Sequence, residues 1–161
     1  EGDILDLAVA GNIIEKTGVI GEKISLSSFE IVDAEFVTSY VHPGNKLSSI
    51  VGFNSNIEQD VAKNICMQIA AMNPIAIDED NVSKEVLDRE YEIGLEQAKE
   101  EGKPEQILGK IAEGRLKKFL KENTLLNQPF IKDNGLTVQK YLGQKKEDAQ
   151  VVDFKRIGLG Y

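Results

Sequence analysis

Two long amphipathic patterns joined only by Gly102, Lys103 and Pro104 constrain this chain more than any other feature of its sequence. The first covers residues 84–101, with Ser83 placed to cap its start, and the second runs from Pro104 to about Glu122. Gly102 ends the first helix, and so short a connection forces the second helix to fold back along it. The sequence therefore predicts an antiparallel helical hairpin.

The charges of the two helices support this pairing. Residues 84–101 carry seven acidic and three basic side chains, whereas residues 103–121 carry two acidic and six basic ones, giving net charges of −4 and +4. Because opposite charges attract, each helix favours the other helix over a second copy of itself.

Strand patterns flank the helical hairpin in the sequence. Residues 24–32 and 36–53 are rich in β-branched and aromatic residues, and the turn residues 43–46 divide the second stretch into a β-hairpin. Residues 151–157 show the alternation of a strand that returns to this β-hairpin. Helices inserted between strands of one sheet indicate an α+β fold, with a small antiparallel sheet packed against helices.

Two capping-box patterns, in which Asn or Ser is followed three residues later by Glu, predict the other helices. The first box, Asn12 with Glu15, opens a helix that stops at Gly21, and the residues before it stay unassigned. The second box starts at Ser55 and opens a helix that ends near Met72, because the residue before a proline avoids helical backbone angles.

Composition excludes several classes of protein. The 161 residues carry a net charge of −8, which argues against direct nucleic-acid binding, and they contain no apolar run of the ~20 residues that span a bilayer. A single cysteine excludes an internal disulfide framework and a multi-cysteine zinc site. We therefore expect a soluble, cytoplasmic protein without cofactor or metal. Because the chain opens at Glu1 without a methionine, we also expect it to be a piece of a longer protein.

The single histidine, His42, lies at the end of a predicted strand, where the following turn would expose it. No Ser or Cys nucleophile motif accompanies it, so an interface role is favoured over a general base. Cys66 lies beside the apolar stripe of a helix and is interpreted as a small buried hydrophobe instead of a reactive thiol. These residues favour protein binding over catalysis.

Six short motifs occur in a fixed order along the chain and together resemble translation elongation factor Ts. They are Ile-Gly-Glu-Lys-Ile at residues 20–24, Ser-Tyr-Val-His at 39–42, Ile-Ala-Ala-Met-Asn-Pro at 69–74, Gly-Lys-Pro at 102–104, Glu-Gly-Arg at 113–115 and Gln-Pro-Phe at 128–130. The resemblance covers about residues 12–157. It implies a core of small sheets and helices from which a coiled-coil hairpin protrudes.

The resemblance also implies a division of the chain into three parts. Residues 1–35 would be a remnant of an N-terminal core subdomain, and residues 36–82 together with 123–161 would form a C-terminal core subdomain. Residues 83–122 would be the inserted helical hairpin.

In function, the resemblance implies a guanine-nucleotide exchange factor that binds elongation factor Tu and promotes GDP release, and that is not itself an enzyme. In allosteric systems of this kind two ligands typically weaken each other's binding by about 1–3 kcal/mol. The implied partner-binding residues are Ile20, Gly21, His42, Phe130, Ile131 and Lys132. The first three match positions that meet the GTPase domain, and the last three lie in a segment that contacts another domain. For Phe130, packing in the core stays open as the alternative.

The sequence departs from the family pattern in one respect. The family carries an N-terminal ubiquitin-associated-like module and a Thr-Asp-Phe-Val motif whose Asp and Phe intrude near the magnesium site, and neither occurs in these 161 residues. The tripeptide Glu-Phe-Val at residues 35–37 ends five residues before His42 and is not that motif. We therefore expect this chain to keep part of the binding surface and to exchange nucleotide weakly.

Two other interpretations stay open. In one, the chain is an interaction or dimerisation module that assembles through its helical hairpin, for example as a homodimer, without exchange activity. In the other, the chain is a small enzyme that uses His42 with a carboxylate, although no carboxylate lies at an interpretable spacing.

Overall fold

A computed structural model describes residues 2–159, with side chains from residue 9 onward, and places them in two compact units. The first unit ends at Ile31 and contains helix α1 (Gly2–Ile20). The second begins at Val32 and contains the sheet, the helical hairpin and the remaining helices. The mixed architecture confirms the predicted α+β class, whereas the division into core subdomains stays a prediction.

The main sheet has three antiparallel strands in the order β1 (Phe36–Val41), β2 (Leu47–Phe53) and β5 (Val151–Gly158). Strand β2 lies in the centre, so the β-hairpin predicted for residues 36–53 and the returning strand predicted for residues 151–157 are both confirmed. Successive side chains of a strand point to opposite faces, and the inward side chains of β2 include the fully buried Val51 and Phe53.

Helix α2 (Gln59–Met72) covers the inner face of the sheet. Its apolar stripe includes the fully buried Ile65 and Ile69, and burying each such side chain stabilises the fold by about 1.5–3 kcal/mol. Two hydrogen bonds fix the helix on the sheet: Ser49 Oγ donates to the carbonyl of Cys66 at 2.8 Å, and Gln59 Nε2 donates to Thr38 Oγ1 at 2.8 Å. The main core therefore lies between α2 and the three strands.

The predicted helical hairpin is formed by α3 (Lys84–Glu100) and α4 (Glu105–Asn123), which pack side by side. Ser83 caps α3 by accepting a hydrogen bond from the backbone N–H of Val86, and Gly102 has a left-handed φ of 70° in the turn. Arg115 of α4 donates to Gln97 and Glu101 at the end of α3, at 2.9 and 2.6 Å. These contacts place the helices antiparallel, and the coiled-coil supercoil stays a prediction.

The two ends of the helical hairpin meet at the core. Ala76 and Thr124 form an isolated parallel bridge, the backbone N–H of Ile75 donates to the carbonyl of Asn123 at 2.9 Å, and that of Leu125 donates to Ala76 at 2.9 Å. A small apolar cluster packs at this root and is separate from the main core; its buried members are Ala76, Val82 and Leu120.

Three short elements follow the helical hairpin, and the sequence patterns did not resolve them. Strands β3 (Pro129–Phe130) and β4 (Asp133–Thr137) pair antiparallel, and helix α5 (Val138–Lys145) follows directly. Thr137 caps α5, because its Oγ1 accepts a hydrogen bond from the N–H of Lys140 at 3.2 Å.

The first capping-box prediction is wrong. Helix α1 begins at Gly2, so Asn12 and Glu15 lie inside the helix instead of at its start. Four of the residues 3–10 are good helix formers, Leu5, Leu7, Ala8 and Ala10, and the helix extends upstream of the box. The predicted end of this helix at Gly21 is confirmed.

The strand predicted for residues 24–32 is also wrong. These residues have no regular structure, and Leu26, Phe29 and Ile31 are more than half exposed. A strand is stable only when hydrogen-bonded to a neighbour, and no strand within the described residues pairs with this segment.

The second capping box is wrong at its start and right about the end of the helix. Glu58 occupies the N-cap position without a side-chain cap, while Ser55 Oγ is buried without a hydrogen-bond partner. The preceding segment is bonded elsewhere, because Lys146 Nζ donates to the carbonyl of Asn56 at 2.7 Å and Asn54 bonds with the backbone of residues 148–150. These tertiary contacts override the local pattern. The helix ends at Met72 as expected.

Candidate partner-binding surface

His42 stands in the turn between β1 and β2, and its backbone is held on both sides. Its N–H donates to the carbonyl of Leu47 at 2.8 Å, and its own carbonyl accepts from the N–H of Asn45 at 3.0 Å. Asn45 and Gly44 take left-handed φ angles of 55° and 94°, which this tight turn requires. The exposed imidazole is therefore carried on a rigid turn.

Tyr40 fixes the orientation of the imidazole. The hydroxyl of Tyr40 lies 3.0 Å from Nδ1 of His42, and the two rings meet edge to face with centroids 6.0 Å apart. Bonding at Nδ1 leaves Nε2 as the ring nitrogen that can reach a binding partner. The hydrogen-bond partner of His42 is thus a phenol, whereas a general base in catalysis is commonly oriented by a carboxylate.

His42 and Ile131, which lie 89 positions apart in sequence, line the same surface cavity of about 360 Å³. We call this the His42 cavity. The other residues that line it are Tyr40, Leu47, Met67, Ala70, Ala71 and Arg156. Arg156 contributes a permanent positive charge, and its Nε donates to the carbonyl of Ala70 at 3.1 Å. The lining is otherwise aromatic and aliphatic, which suits recognition of another protein's surface.

The segment after Pro129 divides between core and surface. Phe130 is only 3% exposed and stacks on Tyr141 with ring centroids 3.9 Å apart, so its side chain packs in the core. Core packing, the alternative left open for Phe130, is what the structure shows, and a contact of Phe130 with the partner stays a prediction. Ile131 is half-buried at the His42 cavity, and Lys132 beside it is exposed.

The first unit carries the other predicted pair. Ile20 is the last residue of α1 and is 59% exposed, and Gly21 follows in a left-handed conformation with φ of 76°. The N–H of Gly21 donates to the carbonyl of Thr17 at 2.9 Å, which ends the helix. A Cβ at Gly21 would have no neighbour within 4 Å, so the bare backbone is open to close approach.

Sequence reasoning missed most of the cavity lining. Tyr40, Ala70 and Ala71 lie within two of the family motifs, which was the available signal, but no role was assigned to them. Met67 and Arg156 had no such signal, because their place depends on how α2 and β5 pack.

The single cysteine, Cys66, lies in the core in an environment that does not favour a reactive thiol. Burial raises the pKa of the Cys66 thiol to about 11, against smaller lowering effects of hydrogen bonds with Ser49 and Val51. The thiol donates to the carbonyl of Thr38 at 3.4 Å inside the core.

Among the residues whose side chains the structure describes, no three His, Cys, Asp or Glu side chains come together as metal ligands. No helix within residues 2–159 is long and apolar enough to cross a membrane.

The structure combines an α+β fold with a surface cavity lined by His42 and Ile131. The family model described as Elongation factor TS matches residues 4–161. Proteins called Elongation factor Ts from Porphyromonas gingivalis and Christiangramia forsetii are 46% and 43% identical to this chain, over 94% and 99% of its length. The corresponding protein of Amoebophilus asiaticus is 49% identical over 98% of the chain. This chain belongs to the elongation factor Ts family, which confirms the resemblance.

The chain spans little more than half the length of these relatives. It covers 55% of the Porphyromonas protein, 59% of the Christiangramia protein and 58% of the Amoebophilus protein.

Proposed function

We propose that this chain acts in translation elongation as part of a guanine-nucleotide exchange factor that binds elongation factor Tu in the cytoplasm. Its output is release of GDP from that GTPase, and the chain itself makes and breaks no covalent bond. Factor and nucleotide each weaken the other's binding, and this reciprocity follows from thermodynamic linkage.

The observation that carries the proposal is the convergence of His42 and Ile131 on one cavity. Both positions match partner-contacting positions of the family, and they belong to distant parts of the sequence. Tyr40, Met67 and Arg156 belong to the residue types that are enriched at protein interfaces, and the oriented imidazole of His42 lines the same cavity. Lys132, which follows Ile131 directly, adds an exposed charge.

Ile20 and Gly21 supply a second proposed contact. An exposed apolar side chain next to a glycine without neighbours allows a partner to approach the backbone closely. The 161 residues contain no Thr-Asp-Phe-Val motif. We therefore expect this chain to bind elongation factor Tu but to accelerate GDP release only weakly.

The test is to load elongation factor Tu with fluorescent GDP and measure its release with and without an excess of this chain. Binding to nucleotide-free elongation factor Tu is measured in parallel by titration calorimetry. We expect binding of the nucleotide-free form, with GDP weakening the complex, and a modest acceleration of release. If the chain binds both forms equally, it has no means of shifting nucleotide affinity and the proposal is wrong.

Two variants test the surface itself. His42→Ala and Ile131→Ala should each weaken binding by about tenfold, as truncation of an interface centre typically does. Val152→Ala is the matched control, because Val152 is an exposed aliphatic residue of β5 that does not line the His42 cavity. Equal affinities for all three variants would remove the His42 cavity from the interface.

An interaction module that assembles through the helical hairpin is the second candidate. A cavity of about 330 Å³ lies between α3 and α4 and is lined by the partly exposed Ile93 and Phe119 together with charged side chains. Analytical ultracentrifugation of the chain and of Ile93→Glu separates the two candidates. A dimer that dissociates in the variant, together with no binding of elongation factor Tu, would favour assembly over exchange.

A further inference from the structure

Two fully buried glutamine side chains bond to each other, and one of them bonds to the backbone of Ile131, which lines the His42 cavity. Gln68 of α2 and Gln128 are both 0% exposed, and Gln68 Nε2 donates to Gln128 Oε1 at 3.1 Å. A buried amide is costly unless its donors and acceptor are bonded. The partners of these two amides therefore indicate what the pair holds in place.

Gln68 bonds mainly to the segment that carries Ile131. Its Nε2 also donates to the carbonyl of Pro129 at 3.1 Å, and its Oε1 accepts from the N–H of Ile131 at 2.8 Å. A carbonyl needs a donor and an N–H needs an acceptor, so these two backbone partners fix which way the amide points. The backbone on both sides of Phe130 is thus held by one side chain of α2.

Gln128 extends the same network to two helix ends. Its Nε2 donates to the carbonyl of Glu122 in the last turn of α4 at 3.1 Å and to that of Met72 at the end of α2 at 3.4 Å. The amide pair therefore joins the end of α2, the root of the helical hairpin and the segment that ends at Ile131.

We propose that Gln68 is a positioning residue that acts through Ile131, holding it at the His42 cavity for contact with elongation factor Tu. This inference rests on the proposed function for its partner and on the bonds above for its geometry. An apolar residue at position 68 would fill the same space, yet it would leave the N–H of Ile131 and the carbonyl of Pro129 without their partner.

The unmodified chain provides the first test, by amide hydrogen exchange resolved at single residues. We expect the Ile131 N–H to exchange about as slowly as core amides of α2, although it lies between two short strands, whereas the exposed Lys132 N–H exchanges fast. If Ile131 exchanges as fast as Lys132, Gln68 does not hold it and the inference is overturned.

Variants provide the second test. Gln68→Met should speed exchange at Ile131 by about tenfold and weaken binding of elongation factor Tu. In an Ile131→Ala background the same substitution should cause no further loss of affinity, because its effect passes through Ile131. Gln59→Met is a control for a glutamine of α2 outside this network, since the exposed Gln59 bonds to Thr38 Oγ1 instead of this segment.

The outcomes separate the inference from the proposed function. Additive losses of affinity, or faster exchange throughout α2, would make Gln68 a structural residue only and overturn the inference. If Gln68→Met fails to fold, the exchange rate of Ile131 in the unmodified chain still decides the geometry. If the unmodified chain does not bind elongation factor Tu, the proposed function fails whatever Ile131 does, and the functional half of the inference fails with it.

Discussion

Gly94→Ala tests how closely the helices of the hairpin pack. Gly94 is buried in α3 against α4, and a Cβ there would lie 3.2 Å from the Cα and 3.5 Å from the Cβ of Ala112. Carbon atoms in good contact lie about 3.5–4.0 Å apart. The helices must therefore separate by a few tenths of an ångström to admit one methyl group.

Gly114 of α4 provides the matched control, because a Cβ there would meet nothing within 4 Å. Alanine is favoured over glycine inside a helix by about 0.5–1 kcal/mol, and this gain is common to both substitutions. Overpacking a tight contact typically costs about 1–3 kcal/mol, and that cost applies to position 94 alone. We therefore expect Gly114→Ala to stabilise the chain. The free energy of unfolding of the Gly114→Ala variant should be about 1–3 kcal/mol higher than that of the Gly94→Ala variant.

The measurement is urea unfolding followed by far-ultraviolet circular dichroism, with the free energy of unfolding obtained by linear extrapolation. Gly94→Leu enlarges the steric effect and should lower the free energy of unfolding further. If Gly94→Ala stabilises the chain as much as Gly114→Ala does, α3 and α4 do not pack as closely as the structure places them, and the reasoning is refuted.

Three further predictions concern the second unit. Arg115 lowers the pKa of the Glu101 carboxyl, chiefly through its hydrogen bond. The contribution of this pair to the free energy of unfolding is therefore present above the ordinary pKa of the carboxyl and is lost as the pH falls through the lowered pKa. In Arg115→Met, the free energy of unfolding should lose this part of its dependence on acidic pH. The same pH dependence in the variant and the unmodified chain would contradict the prediction. Phe130→Ala should destabilise the chain by about 3–5 kcal/mol in thermal unfolding, whereas a loss of affinity at unchanged stability would restore Phe130 to the interface. Cys66 should react with an aromatic disulfide reagent only when the chain unfolds, and rapid labelling of the native chain would contradict its buried, high-pKa environment.

The helical hairpin was predictable because its signals are local. Ser83, Gly102 and the opposite charges of the two helices act within a few residues or across one short turn, and no distant contact is needed to interpret them. The β-hairpin was predictable for the same reason, since the turn at residues 43–46 sets its register directly.

Two of the three errors arose where distant contacts decide the structure. Ser55 has the pattern of an N-cap, but its neighbours Asn54 and Asn56 are bonded to residues 146–150, far along the chain. Residues 24–32 have the composition of a strand, and composition does not state whether a neighbouring strand exists.

The candidate surface was predictable only as separate positions. The family motifs indicated His42 and Ile131, and their meeting at one cavity depends on how α2, the β1–β2 turn and the segment after β3 pack. Phe130 illustrates the limit, because a motif position does not tell whether its side chain faces the partner or the core.

The bridge between Ala76 and Thr124 has a consequence for how the molecule can vary. The main chain leaves the core after Ala76 and returns to it at Thr124, and these two residues are paired. The length of the helical hairpin between them therefore does not alter the register of the strands in the sheet. The helical hairpin can thus be shortened, lengthened or replaced by another segment whose two ends lie close together, while the sheet and α2 keep their mutual packing.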